Sequence, residues 1–201
     1  MIVGCLVTGI LCGIYLNVPF QPYCKDISSY LLAFLVFQAG LNLGANSDFK
    51  YMKEHFRLSS FLFPAFTIGG TLLFSALASV FLAMNLWDGM AVGCGFGYYS
   101  LSSIMIIQLK ESIIGMDLAS QLGAIALLTN VFRELFALIG APVYAHCFGK
   151  LAPISAAGVT SIDVCLPAIS KYSGQEFIPI AVIQGIVLEI ATPMLITFFC
   201  V

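Results

Sequence analysis

Long apolar runs separated by short polar segments dominate the chain. They lie near residues 1–16, 27–45, 58–84, 89–108, 120–146, 153–170 and 177–200. A membrane-spanning helix needs roughly 17–25 apolar residues, so most runs are long enough to cross a bilayer. The third and fifth are longer and predict tilted or extended helices. The first run has no basic stretch before it and is followed by another apolar run, which favours a membrane helix over a cleaved signal peptide.

The composition agrees with this pattern. The 201 residues are 60% hydrophobic and 9% charged, whereas a soluble domain is about 25% charged. The sequence therefore predicts an all-α, polytopic membrane helix bundle of about seven hydrophobic segments, formed as a single transmembrane transporter domain over residues 1–201. The net charge of −2 gives no reason to expect a nucleic-acid partner.

Basic residues in the loops predict an orientation. Lys50, Lys53 and Arg57 form the densest basic cluster, which the positive-inside rule places on the cytoplasmic side. Seven crossings would then leave the N-terminus inside and the C-terminus outside. If residues 153–170 form a re-entrant loop instead, the C-terminus lies in the cytoplasm, and the sequence leaves both topologies open.

Two of the runs do not have the composition of ordinary membrane helices. One contains Gly93, Gly95, Gly97, Tyr98, Tyr99 and Ser100, and the other contains Gly158, Thr160, Ser161, Asp163 and Pro167. Paired helix interruptions of this kind point to the midplane site of a transporter, because non-helical backbone at membrane depth must be buried in protein or line a cavity. The alternative is close helix packing through small residues.

Asp163 is the first candidate for the working site. A carboxylate at the centre of the bilayer costs about 2.5–3.5 kcal/mol on insertion scales, and such a residue usually marks a solute or ion path. Its surroundings, with Gly158, Thr160 and Ser161 just before it, are small and polar. We therefore expect residues 158–163 to line the path.

Arg133 and Glu134 are a second charged feature inside an apolar run. Consecutive helical residues do not face one another, so each needs its own partner from another helix, water or backbone carbonyls. Asp163 is a candidate partner for Arg133. A structural clamp between helices and a direct solute contact are both open, and Asn130 is expected to complete the polar face.

The remaining polar residues give weaker signals. Glu189 lies in the last run, where Pro193 frees its backbone carbonyl, and is a candidate proton or cation site or a helix contact. Charges such as Asp88 and Lys110 are expected in loops. The seven cysteines lie mostly in apolar runs and should behave as small hydrophobes. No nucleophile motif or metal-ligand cluster is evident, so the sequence predicts no enzyme, cofactor or metal.

Three motifs occur in an order that resembles the LysO-type lysine exporters of bacteria. They are GFGYYSLS at residues 95–102, REL at 133–135, and AGVTSID at 157–163 followed by Leu166 and Pro167. Residues 34–41 also resemble the start of that family's C-terminal half. The resemblance covers almost the whole chain.

This resemblance implies a multi-pass protein of the bacterial inner membrane that exports L-lysine and toxic lysine analogues, driven by a proton gradient. Its partners would be the lipid bilayer, protons and a small cationic amino acid. It also implies an intramembrane pair of acidic residues, one of which matches Asp163. Full-length members have an additional N-terminal membrane portion that carries the other acid. We therefore expect a hetero-oligomer with a small membrane subunit, or a homo-oligomer that brings two copies of Asp163 together.

The mechanism expected from these features is antiport centred on a carboxylate. Asp163 would alternate between a proton and the cationic solute, while residues 95–103 supply carbonyls or hydroxyls and Arg133 holds Asp163 or the solute carboxylate. Glu189 is a local substitute for the missing acid. Two alternatives are a scaffold or regulatory subunit that transports nothing, and a transporter of a different small solute or ion.

Overall fold

The computed structural model describes residues 59–82 and 84–201, with side chains from residue 62 onward. All of them belong to one compact unit, Ser47–Val201. The predicted spans at 1–16 and 27–45 and the basic loop at 50–57 lie outside the described residues. The predicted orientation and the assignment of a single domain stay predictions.

The described residues are helical, with no strand among them. We number the α-helices from the first one described: α1 (Ser59–Phe81), α2 (Leu86–Gly93), α3 (Tyr99–Ile114), α4 (Met116–Cys147), α5 (Ala152–Ala157), α6 (Leu166–Tyr172) and α7 (Ile178–Cys200). Two short 3₁₀ segments, Gly158–Ile162 and Gln175–Phe177, follow α5 and precede α7. The bounds confirm the predicted runs from residue 58 onward.

Three segments of the described chain are long and apolar enough to cross a bilayer: Leu62–Phe81, Met116–Cys147 and Gln175–Cys200. At about 1.5 Å per residue, even the shortest of the three approaches the thickness of the hydrocarbon core. Large apolar side chains such as Phe74, Ile139 and Phe198 are exposed on these helices. Exposed apolar surface of this extent suits lipid contact, and the fold is the predicted helical membrane bundle.

The helices pack around two apolar clusters. One contains Phe96, Ile106, Leu188 and Ile196 and joins the first interrupted run to α7. The other joins α5, α6 and the start of α7 around buried Ile154 and Ile169. Three of the cysteines, Cys94, Cys165 and Cys200, are free and buried in these clusters, as expected for small hydrophobic residues.

Close packing of small residues joins α1 to α2. A Cβ added at Gly93 would lie 2.0 Å from the Ser75 hydroxyl oxygen, and one added at Gly89 would lie 1.7 Å from that of Ser79. The two glycines are four residues apart, so they share one face of α2 and let the backbones approach. Gly93 therefore allows close packing of α1 on α2, as the small-residue alternative expects.

Lys110 and Asp88 do not lie in solvated loops, so that expectation was wrong. Asp88 is in the first turn of α2 and Lys110 is a buried residue of α3. Lys110 Nζ lies 2.8 Å from Asp88 Oδ1. The contact is an ion pair by distance, although Asp88 Oδ1 accepts no hydrogen bond of acceptable geometry. It holds the helices on either side of the first interruption together, because each charge needs the other when desolvated.

Candidate functional site

Both predicted interruptions are present, and they touch each other. The first is the non-helical stretch between Gly93 and Tyr99, and the second begins where α5 ends at Ala157. The backbone N–H of Val159 donates a hydrogen bond of 2.9 Å to the carbonyl oxygen of Phe96. We call this contact of the two interrupted segments the crossing.

Glycine is required on both sides of the crossing. Phe96 and Gly97 have φ values of 45° and 95°. Gly158 has φ 67° and ψ −124°, a combination that residues with a Cβ essentially avoid. A Cβ added at Gly158 would lie 2.2 Å from the Phe96 carbonyl oxygen. The two backbones therefore approach more closely than any side chain at position 158 would allow.

Asn130 of α4 forms hydrogen bonds with the backbone of the first interruption. Its Oδ1 accepts a hydrogen bond of 2.8 Å from the Gly97 N–H, and its Nδ2 donates to the carbonyl oxygens of Ala126 and Val92 at 2.8 and 3.3 Å. Gly95 leaves the room for it, since a Cβ there would lie 2.2 Å from Asn130 Nδ2. The fully buried amide thus replaces the hydrogen bonds that the broken helix has lost.

Arg133 binds the second interruption. Its Nε and Nη2 donate to the carbonyl oxygens of Ala156 and Ser155 at 3.1 and 3.2 Å. These carbonyls are in the last turn of α5, where helices leave acceptors unsatisfied and carry partial negative charge. The guanidinium also lies 5.6 Å from the centre of the Phe96 ring. Within the described residues, the Arg133 guanidinium donates hydrogen bonds to backbone carbonyls and forms no ion pair with Asp163.

Asp163 lies at the end of the 3₁₀ segment, where it is exposed and accepts a hydrogen bond from the Val164 N–H. It is close enough to Glu134 of α4 and Glu189 of α7 for the charges to interact. Glu134 is buried, and Glu189 Oε2 is a buried atom without a hydrogen-bond partner. These three residues, here called the acidic cluster, come from three separate parts of the sequence. Glu189 has no charged neighbour along its own apolar run, and the fold brings Asp163 close to it.

Two tyrosines adjoin the acidic cluster. Tyr98 interacts electrostatically with Glu189 and Asp163, and Tyr99 interacts with Glu134 and Asp163. Ser100 lies half-buried in the first turn of α3. The residues of the GFGYYS motif therefore divide between the crossing and the edge of the acidic cluster.

The hydroxyls of the second interruption mainly hold its own backbone. Thr160 Oγ1 donates to the Ala157 carbonyl oxygen at 3.0 Å. Ser161 Oγ lies 2.8 Å from two carbonyl oxygens, those of Gly158 and of Ala181 in α7. Ser161 thereby fastens the interruption to α7, and Thr160 and Ser161 are both buried rather than open to a solute.

One set of polar residues was not anticipated from the sequence. Thr67, Thr71 and Ser75 lie on one face of α1 at four-residue spacing, and Thr71 Oγ1 accepts a hydrogen bond of 3.4 Å from Arg133 Nη1. This spacing is itself a sequence signal, because residues four apart stack on one side of a helix. It is easily overlooked, since isolated hydroxyls are common in membrane helices.

No group of three His, Cys, Asp or Glu residues in the described chain is arranged to hold a metal ion. Glu134 and Glu189 each interact with Asp163, and the three acids do not form a set of ligands around one point. Such an arrangement can attract a cation or exchange protons between carboxylates.

The fold and site define a helical membrane protein built around two interrupted helices that cross beside intramembrane carboxylates. This is the arrangement by which many secondary transporters expose backbone and charge at membrane depth. The chain belongs to the lysine exporter LysO family, whose family model matches residues 3–200.

Two relatives support this membership. The chain is 29% identical over 199 residues to a putative lysine exporter of Haemophilus influenzae, covering 99% of this chain and 94% of that protein. It is 25% identical over 201 residues to lysine exporter LysO of Escherichia coli, covering 98% of this chain and 62% of that protein. No solved structure matches the chain.

Proposed function

We propose that this protein is a secondary transporter that exports L-lysine or a related small cationic amino acid across the bacterial inner membrane in exchange for protons. Its similarity to proteins named as lysine exporters supports the substrate class. The observation that carries the mechanism is the acidic cluster, which gathers Glu134, Asp163 and Glu189 beside the crossing.

Asp163 is the proposed exchange residue. An ionised carboxylate in an apolar setting is costly unless a cation or a proton compensates it. Asp163 is exposed, Glu189 is half-buried and Glu134 is buried, so Asp163 is the most accessible member of the cluster. Binding of the solute ammonium and binding of a proton would then exclude each other, which is the requirement for antiport.

The family resemblance implies a pair of acidic residues, of which Asp163 is one. We propose that Glu134 or Glu189 of the same chain supplies the other. The alternative expected from the family resemblance is a carboxylate supplied by a small membrane subunit or by Asp163 of a second copy. Purification of the chain alone, followed by reconstitution, tests whether a separate subunit is needed. Lysine transport by the chain without any other protein would exclude the separate subunit.

The test of the site is Asp163→Asn. In everted membrane vesicles, export is measured as uptake of radiolabelled L-lysine, and we expect the variant to insert normally but to lose uptake. Asp117→Asn is the matched control, because Asp117 is an exposed carboxylate in the first turn of α4, away from the crossing. Uptake by Asp163→Asn at the rate of the control would rule out this assignment.

A further inference from the structure

A cavity of about 490 Å³ lies on the side of the crossing that faces α1. Its volume is in the range of small-molecule sites. Six of its lining residues come from one face of α1, namely Thr67, Gly70, Thr71, Phe74, Ser75 and Ala78, with Phe66 beside them. The rest come from α2, α4 and α5, and they include Asn130, Arg133 and Ser155.

Arg133 is the one charged residue in this lining, and the described wall contains no carboxylate. A guanidinium carries five N–H donors. Within the described chain, three of them are used, for the carbonyls of Ala156 and Ser155 and the hydroxyl of Thr71. Two donors remain. The other polar groups of the lining are hydroxyls and the amide of Asn130, and the rings of Phe66 and Phe74 lie beside them. This is the chemistry of a site for a small carboxylate.

The cavity and the acidic cluster lie in different directions from α4. Arg133 and Glu134 are consecutive on that helix, so their side chains point about 100° apart. Arg133 lines the cavity, while Glu134 interacts with Asp163 and Tyr99. One positive group and a set of negative groups thus flank the same crossing, as a zwitterion requires.

We infer that the Arg133 cavity binds the α-carboxylate of the transported amino acid. The inference rests on the proposed function and assigns one part of substrate recognition to a site: the cavity recognises the carboxylate, so the protein rejects diamines of similar length. Loss of a hydrogen bond to a charged group weakens binding by about 10- to 100-fold. We expect a discrimination of about this size between L-lysine and 1,5-diaminopentane, which is lysine without its carboxylate.

Two neighbouring glycines of α1 give a matched pair of variants. A Cβ added at either Gly69 or Gly70 meets no atom within 4 Å, so neither substitution forces a clash at its Cβ. Gly70 lines the cavity and Gly69 does not. Gly70→Leu should therefore fill the cavity, whereas Gly69→Leu makes the same chemical change on α1 outside it.

The experiment uses the purified full chain in proteoliposomes and measures uptake of radiolabelled L-lysine, with unlabelled L-lysine or 1,5-diaminopentane as competitor. We expect Gly70→Leu to lower uptake by about 10-fold or more, Gly69→Leu to retain it, and the diamine to compete about 10- to 100-fold less well than lysine. Ligand-induced thermal stabilisation in detergent gives a second readout that needs no gradient.

The outcomes separate the inference from the proposed function. If wild-type protein takes up lysine but the diamine competes equally and Gly70→Leu resembles Gly69→Leu, the cavity assignment is overturned and the proposed function stands. If wild-type protein neither transports lysine nor is stabilised by it, the proposed function fails, and the inference fails with it. Loss of lysine binding in Gly70→Leu alone supports both.

Discussion

At the scale of single residues, Arg133 connects the two interruptions. Its guanidinium binds carbonyls at the end of α5 and lies against the ring of Phe96, which belongs to the other interruption. A planar fork of donors can satisfy two carbonyls at once, while an ammonium acts as a compact point charge. The residue therefore joins the two interruptions, and it also lines the cavity.

Arg133→Lys tests this geometry. We expect lysine uptake in vesicles to fall by about 10-fold, because charge is kept but the fork that binds both carbonyls is lost. Lys150→Arg is the reciprocal control: Lys150 Nζ is exposed and donates to the Tyr172 carbonyl oxygen at 2.8 Å, which arginine can also do. Equal uptake by both variants would show that positive charge alone is sufficient at position 133.

Asn130 acts at the same scale through neutral hydrogen bonds. Its amide fits the site in one orientation, since the oxygen faces the Gly97 N–H and the nitrogen faces carbonyl oxygens. A leucine has no polar side-chain atom, so the buried Gly97 N–H would lose this acceptor, at a cost of about 1–3 kcal/mol. Asn130 thus belongs to the support of the crossing, although its position on α4 also places it at the edge of the cavity.

At the scale of elements, the crossing depends on the absence of a side chain at Gly158. Gly149 provides a comparison, because it also has a positive φ, of 93°, but an added Cβ there meets nothing within 4 Å. Gly149 therefore has a positive φ without a close contact, whereas Gly158 combines a positive φ with a ψ of −124° and a close contact.

Gly158→Ala should lower the melting temperature in detergent far more than Gly149→Ala does. The control carries only the conformational penalty of about 1 kcal/mol. Gly158→Ala adds a clash with the Phe96 carbonyl oxygen, and we expect a total above about 3 kcal/mol. Similar melting temperatures for the two variants would mean that the crossing relaxes to admit a methyl group.

The elements around the crossing are held by different means. The packing of α1 on α2 uses glycine against serine, α2 is joined to α3 by the Lys110–Asp88 ion pair, and the second interruption is fastened to α7 by Ser161. Each device compensates for helical hydrogen bonds or packing that short, broken helices lack.

At the scale of the whole molecule, the described helices place acidic side chains and the guanidinium of Arg133 around one crossing. Proton exchange at the acidic cluster predicts that transport depends on the proton gradient. In everted vesicles, a protonophore should abolish accumulation of L-lysine above the external concentration, because the coupling free energy then disappears. Equilibration of lysine without accumulation, with or without the protonophore, would instead indicate a uniporter or channel.

Much of this architecture is predictable from sequence because the bilayer imposes it. Runs of apolar residues must become helices in lipid, where every backbone polar group needs an internal partner. The same rule identifies residues 93–100 and 158–163 as interruptions, since glycines and small polar residues accumulate where a helix fails. Asp163 is a candidate from sequence for a similar reason, because a carboxylate at membrane depth is costly.

The partners of those residues could not be predicted in the same way. The sequence suggested Asp163 for Arg133 because opposite charges attract, but the structure places the carbonyls of α5 nearer to the guanidinium. It also brings Glu189, which is isolated along the chain, beside Asp163. The sequence by itself determined that the chain is a membrane bundle with two broken helices, one of them carrying the carboxylate of Asp163, because local composition decides how a segment behaves in lipid. Only the tertiary structure decided that the breaks cross, that Arg133 lines a cavity and that the three acids lie near one another, because those contacts join residues that are far apart along the chain, as Phe96 and Val159 are.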